Sequence, residues 1–142
     1  MSLSAALLLA GGMVLLATAV GVLLRAQDGR RRSAGALSVR PADLPRALGE
    51  TAALVQFSTE LCARCPQVRR ILGDIATERG IPHVEIDLTN RSDLATRYRV
   101  LQTPTTFLID RSGAVLSRWA GVPDRRSIED ALPPVPTVPE HP

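Results

Sequence analysis

The only two cysteines of the chain, Cys62 and Cys65, close the stretch Leu54-Val55-Gln56-Phe57-Ser58-Thr59-Glu60-Leu61-Cys62-Ala63-Arg64-Cys65. Two residues between the sulfurs let a single turn bring them within disulfide reach. The reactive form of a cysteine is the thiolate, and a free thiol with a pKa of about 8.5 supplies little of it at neutral pH. A helix N-terminus, a nearby cation and the Cys-x-x-Cys spacing each lower that pKa. All three are expected at Cys62, the cation being Arg64 with its side chain folded back. Cys62, nearer the exposed end, is expected to attack. Cys65, one turn further in, is expected to resolve the mixed disulfide.

The flanking sequence must hold these sulfurs in place. Leu54, Val55 and Phe57 form an apolar run of strand length, within a strand expected over Thr51–Phe57. Beyond the cysteines, Val68, Ile71, Leu72, Ile75 and Ala76 recur at helical spacing, so a helix is expected over Arg64–Arg79, ended by Gly80. The cysteines therefore sit where a strand hands over to a helix, beside unpaired N–H groups and the positive end of the dipole. Pro66 lacks an N–H, which predicts a helix start delayed by one or two residues. Around this centre the patterns predict an edge strand at Leu37–Val39, a short helix at Pro41–Leu48 and a strand at His83–Leu88. They continue with a helix at Asn90–Val100 capped by Asn90 or Ser92, a strand at Thr105–Ile109 and a turn at Asp110–Gly113. A partner strand at Ala114–Trp119 and a closing helix at Asp124–Leu132 complete the series. Strand–helix–strand crossovers followed by a hairpin imply an α/β domain whose mixed sheet carries helices on both faces.

The chain has 142 residues, which suggests one domain with appendages. Residues 1–24 carry no charged side chain, and Leu3 to Leu24 is long enough to cross a bilayer as a helix. A cleaved signal peptide is the rival, but no Lys or Arg precedes the apolar run and no small-x-small site follows it. Residues 25–36 read as a flexible basic linker, 37–132 as the folded domain, and 133–142 as an extended or disordered proline-rich tail. From Arg25 to Leu48 six arginines face only Asp28 and Asp43, whereas from Gly49 onward eleven arginines face twelve acids. The basic surplus thus adjoins the apolar stretch, which argues for anionic lipid headgroups and against nucleic acid. With Arg25, Arg30, Arg31 and Arg32 all after the span, the positive-inside rule places the domain in the cytoplasm.

Several segments together resemble the thioredoxin superfamily: the strand LVQF, the motif CARC and the strand HVEIDL. Gln102-Thr103-Pro104-Thr105-Thr106-Phe107, Asp110-x-x-Gly113 and Ala120-Gly121 extend the match, which covers nearly all of residues 37–132. The resemblance implies a three-layer fold, a cis Thr103–Pro104 bond, and thiol–disulfide exchange with protein substrates and no cofactor beyond the disulfide. It assigns Cys62 as nucleophile and Cys65 as resolving thiol. Thr103, Pro104 and Gly121 become substrate-facing groups, and an electron donor such as a thioredoxin reductase is implied.

The sequence also departs from that family. Leu61 replaces the usual tryptophan, Ala63-Arg64 replaces Gly-Pro, and Gln56 stands where a buried acid would help move the resolving proton. Glutamine cannot accept a proton at neutral pH, so His83, expected to face Gln56, is the candidate substitute, with Glu60 and Glu85 behind it; a half-buried structural histidine is the plainer reading. Zinc is not expected, because only His83 and His141 are available as further ligands. A structural disulfide would close too small a loop to constrain much. A non-catalytic interaction module on this fold, or an extracytoplasmic protein acting on secreted or cytochrome-type thiols, are the alternative readings.

Overall fold

The computed structural model describes residues 2–134, so the proline-rich tail expected at 133–142 lies outside the described residues from 135 onward. Helix α1 (Leu3–Gln27) comes first and runs past Leu24, its expected end. Its 25 residues reach about 37 Å, against ~30 Å for a hydrocarbon core. None of them is buried, so its leucines and valines have no protein to pack against.

Strands β1 (Arg31–Arg32), β2 (Ala52–Ser58), β3 (His83–Asp87), β4 (Thr105–Asp110) and β5 (Val115–Ala120) form one sheet in the order β1-β5-β4-β2-β3. The β2–β3 pair is parallel, and the other pairs are antiparallel. A parallel pair needs a crossover, which α2 (Cys65–Arg79) supplies. Strand β2 lies inside the sheet and every residue of it is buried, as expected of an apolar run with neighbours on both edges. Its alternation separates two cores. Ala53, Val55 and Phe57 face Leu94, Tyr98 and Phe107, whereas Ala52 and Leu54 face Val68, Leu72, Ile75, Trp119 and Ile128. The first core lies under α3 (Ser92–Arg97) and the second under α2 and α4 (Arg125–Glu129). The helical stripe read from the sequence is the buried face of α2, with Ile71 only partly covered. Each fully buried Leu or Ile there contributes about 1.5–3 kcal/mol.

Other segments differ from expectation. The segment read as a flexible linker is pinned instead: Arg31 and Arg32 pair with Trp119 and Arg118, and Gly29 N–H donates to Ala120 O at 2.6 Å. The free edge of β5 offers a row of backbone groups that any short extended segment can satisfy. Leu37–Val39 makes only an isolated bridge, Ser38 to Ala114. The helix expected at Pro41–Leu48 shrinks to a 3₁₀ turn at Pro41–Asp43, because Pro45 has no N–H to return to the Pro41 carbonyl and disfavours helix before it. Helix α3 is shorter than Asn90–Val100 and is capped by neither Asn90 nor Ser92; its N-cap is Arg91 without a side-chain bond. It ends where Tyr98 turns inward to stack with Phe57 and Phe107 and to donate its hydroxyl hydrogen to Asp43. Helix α4 is likewise trimmed to five residues.

Candidate active site

Strand β2 ends at Ser58, and the chain then winds tightly into α2. Cys62 N–H donates to Thr59 O at 3.2 Å and Cys65 N–H to Cys62 O at 3.3 Å. Helix α2 begins at Cys65, one residue after the expected Arg64 and within the delay expected from Pro66. Pro66 falls in the first turn, where the missing N–H would have had no helical partner. Cys62 and Cys65 are joined as a disulfide with their Cα atoms 5.4 Å apart. Cys65 is 2% exposed and Cys62 is partly exposed, so an incoming sulfur has access to Cys62 first.

A second loop closes on the same point. The Thr103–Pro104 peptide is cis, Pro104 is buried and Thr103 half-buried. The Thr103 and Thr59 hydroxyls lie 3.2 Å apart, tying this loop to the turn before the cysteines. Gly121 N–H donates to Pro104 O at 2.7 Å. Among the described residues no backbone group pairs with the Thr103 amide or carbonyl, which leaves both free for an added strand. Leu61 and Leu101 are 97% and 95% exposed. They give these two loops an apolar rim.

Beneath the disulfide lies Gln56, fully buried. Its Nε2 donates to Cys65 O at 3.0 Å, which turns Oε1 toward His83 Nε2 at 3.2 Å. The imidazole thus carries its hydrogen on Nε2 and donates it. The strand register pairs His83 with Leu54 and Glu85 with Gln56, yet the His83 side chain reaches Gln56 all the same. Burial holds the His83 pKa below its usual value; Arg46 and Arg69 push the same way, and Glu85 opposes them. Gln56 stands between His83 and Cys65, and an amide does not relay a proton by accepting one. Glu85 is engaged elsewhere: Arg69 Nε and Nη2 each donate a hydrogen bond to it at 2.6 Å and Ser58 Oγ donates to it at 2.7 Å. These contacts, Arg69 first, hold its carboxyl below the usual range. Glu60 is exposed, with its N–H on Thr89 Oγ1 at 3.0 Å.

Arg64 does not fold back over Cys62. Its Nη1 donates to Asp28 Oδ2 at 2.6 Å, so its charge is spent on the residue that ends α1. The same carboxylate accepts from Gln102 Nε2 at 3.2 Å. It also fills the space above Gly121, where a Cβ would land on it. Gly121 has φ +84°, a conformation that favours glycine independently. Gly121 is therefore near the redox centre as expected, but covered. Asp28, Thr59 and Gln102 were not among the residues the sequence singled out. Nothing local marks Asp28, whose partner Arg64 is 36 positions away; Gln102 entered only as part of the motif around Pro104, with no role of its own.

A protein-family model described as Thioredoxin matches residues 42–133. Among solved structures, a thioredoxin from Nicotiana alata is 22% identical with a TM-score of 0.50, over 58% of this chain and 70% of its own. A mutant thioredoxin from Halobacterium salinarum is 19% identical with a TM-score of 0.54, over 67% of this chain and 92% of its own. At these identities the structural likeness is one of fold. No curated protein matches the chain.

Proposed function

Because the chain belongs to the thioredoxin family, we propose that it is a membrane-tethered thiol–disulfide oxidoreductase that reduces protein disulfides. The observation that carries this reading is the Cys62–Cys65 disulfide at the start of α2, its outer sulfur accessible and its inner one buried, beside the cis Thr103–Pro104 loop. In the reduced protein the Cys62 thiolate attacks one sulfur of the substrate disulfide, and the other sulfur leaves as a thiolate that takes up a proton. Cys65 loses its proton and attacks Cys62, releasing the second substrate thiol and forming the internal disulfide. Two electrons pass to the substrate, and a dithiol donor, such as a thioredoxin reductase, must restore them. The free Thr103 backbone pairs with the substrate segment, and Pro104 keeps that backbone beside the sulfurs. Gln56 holds the Cys65 carbonyl, and the proton of Cys65 passes to solvent or to the departing thiolate.

Helix α1 serves as the anchor in this reading, supported by its length, its lack of charge through Leu24 and its unburied apolar side chains. The arginines that follow it favour a cytoplasmic domain, where the prevailing potential keeps dithiols reduced and directs electrons toward substrate. Replacement Cys65→Ser removes the resolving thiol and should accumulate a disulfide-linked adduct that dithiothreitol dissolves. If no adduct forms, and the wild-type pair does not interconvert with dithiothreitol, the redox reading is wrong. A membrane-impermeant maleimide should leave Cys62 unlabelled in intact cells; labelling without lysis reverses the orientation.

A further inference from the structure

The residue that ends α1 sits inside the redox site. Asp28 reaches three separate segments: the dipeptide between the cysteines through Arg64, the loop before Pro104 through Gln102, and the turn at Gly121 by filling the volume above it. Its side chain is only 24% exposed, although its partner Arg64 is half exposed. The backbone holds it there, since Gly29 N–H is bonded to Ala120 O and Arg31 and Arg32 pair along β5. A polypeptide laid along the free Thr103 backbone would run past Gly121, and that path crosses the Asp28 carboxylate. On the other side, toward Leu61 and Leu101, the rim is open.

We propose that Asp28 is a specificity-determining residue: it closes the Gly121 side of the groove, so that compact disulfides reach Cys62 directly while extended polypeptides must first displace it. This rests on reading Cys62 and Cys65 as the exchanging dithiol. The barrier is a partly exposed ion pair and one hydrogen bond, which together are worth a rate factor of about ten. Because the tether carries the barrier, movement of α1 relative to the sheet would alter which substrates are admitted.

The test is a ratio. The full chain in detergent micelles is assayed on insulin, a protein disulfide, and on 5,5′-dithiobis(2-nitrobenzoate), a small one. Asp28→Ala should raise the insulin rate relative to the small-disulfide rate by about tenfold, and Asp28→Glu should stay close to wild type. Loss of folding, or a general change in Cys62 reactivity, moves both rates together and leaves the ratio fixed. A parallel measurement needs no turnover: labelling of reduced Cys62 by N-ethylmaleimide against a maleimide carried on polyethylene glycol. Asp28→Ala should favour the bulky reagent by a similar factor. A wild type that reduces both disulfides, with both ratios unmoved by Asp28→Ala, overturns the proposal and spares the redox reading. A labelling ratio that shifts in a protein reducing neither disulfide does the reverse.

Discussion

Replacing Gln56 by glutamate puts an ionisable group of nearly the same shape into a dry position beneath the disulfide. Gln56 is fully buried, and its amide donates to the Cys65 carbonyl at 3.0 Å. A protonated carboxyl can keep that donation through its hydroxyl and still accept from His83. An ionised one faces the carbonyl with two acceptors and loses its hydration. Burial and the Cys65 carbonyl therefore both raise the folded-state pKa of the new carboxyl above its unfolded value. Holding it protonated at pH 7 against a reference near 4.3 costs about 3.7 kcal/mol at 1.36 kcal/mol per unit. Pairing with an imidazolium at His83 would reduce that to about 2 kcal/mol. For a raised pKa, the stability is intact below the unfolded pKa and declines as pH climbs. The variant should thus match wild type near pH 4 and fall about 2–4 kcal/mol below it at pH 7. Urea unfolding of the oxidised chain reports this through Trp119, the only tryptophan, which is fully buried beside α4. Comparing variant with wild type at each pH cancels the other carboxylates. An equal difference at both pH values would refute the placement of Gln56 in a water-excluded site.

Other expectations follow from the same structure. Burial lowers the His83 pKa in the folded state, so the unfolded chain binds that proton more tightly and stability should drop as pH falls through and below about 6.5. His83→Gln should flatten the urea midpoint between pH 7.5 and 5.5; a slope as steep as wild type would remove His83 as its source. Leu72→Ala empties a fully buried position between α2 and β2 and should cost about 2–5 kcal/mol, read by the same unfolding curves. Leu101→Ser changes a side chain that is 95% exposed. It should leave the thermal midpoint in place while raising KM for insulin severalfold with little change in kcat. A parallel loss of stability would assign Leu101 to packing.

Where the sequence and the structure part company, the dividing line is contact range. Tyr98 shows it: an aromatic ring favours a core position by its type alone, but its hydroxyl on Asp43, 55 positions earlier, is a contact no local pattern records. His83 and Gln56 were paired by reading which strands would be neighbours, and the side chains do meet at 3.2 Å. The amide orientation that makes Gln56 a spacer came only with the Cys65 carbonyl in place. Arg64 was assigned to Cys62 because the two are close in sequence, and it pairs instead with Asp28.

Strand and helix periodicity, the glycine that stops α2, the apolar N-terminal run and the two cysteines at a strand–helix boundary are all written within a few residues of one another. Each depends on local backbone preference and on which faces avoid water, and a linear pattern records both. The covering of Gly121, the docking of Arg31 and Arg32 on β5, and the closure of the site by Asp28 depend on atoms brought together across 36 positions or more. Charge complementarity and unsatisfied backbone on a sheet edge select those contacts, and neither is visible until the chain has folded.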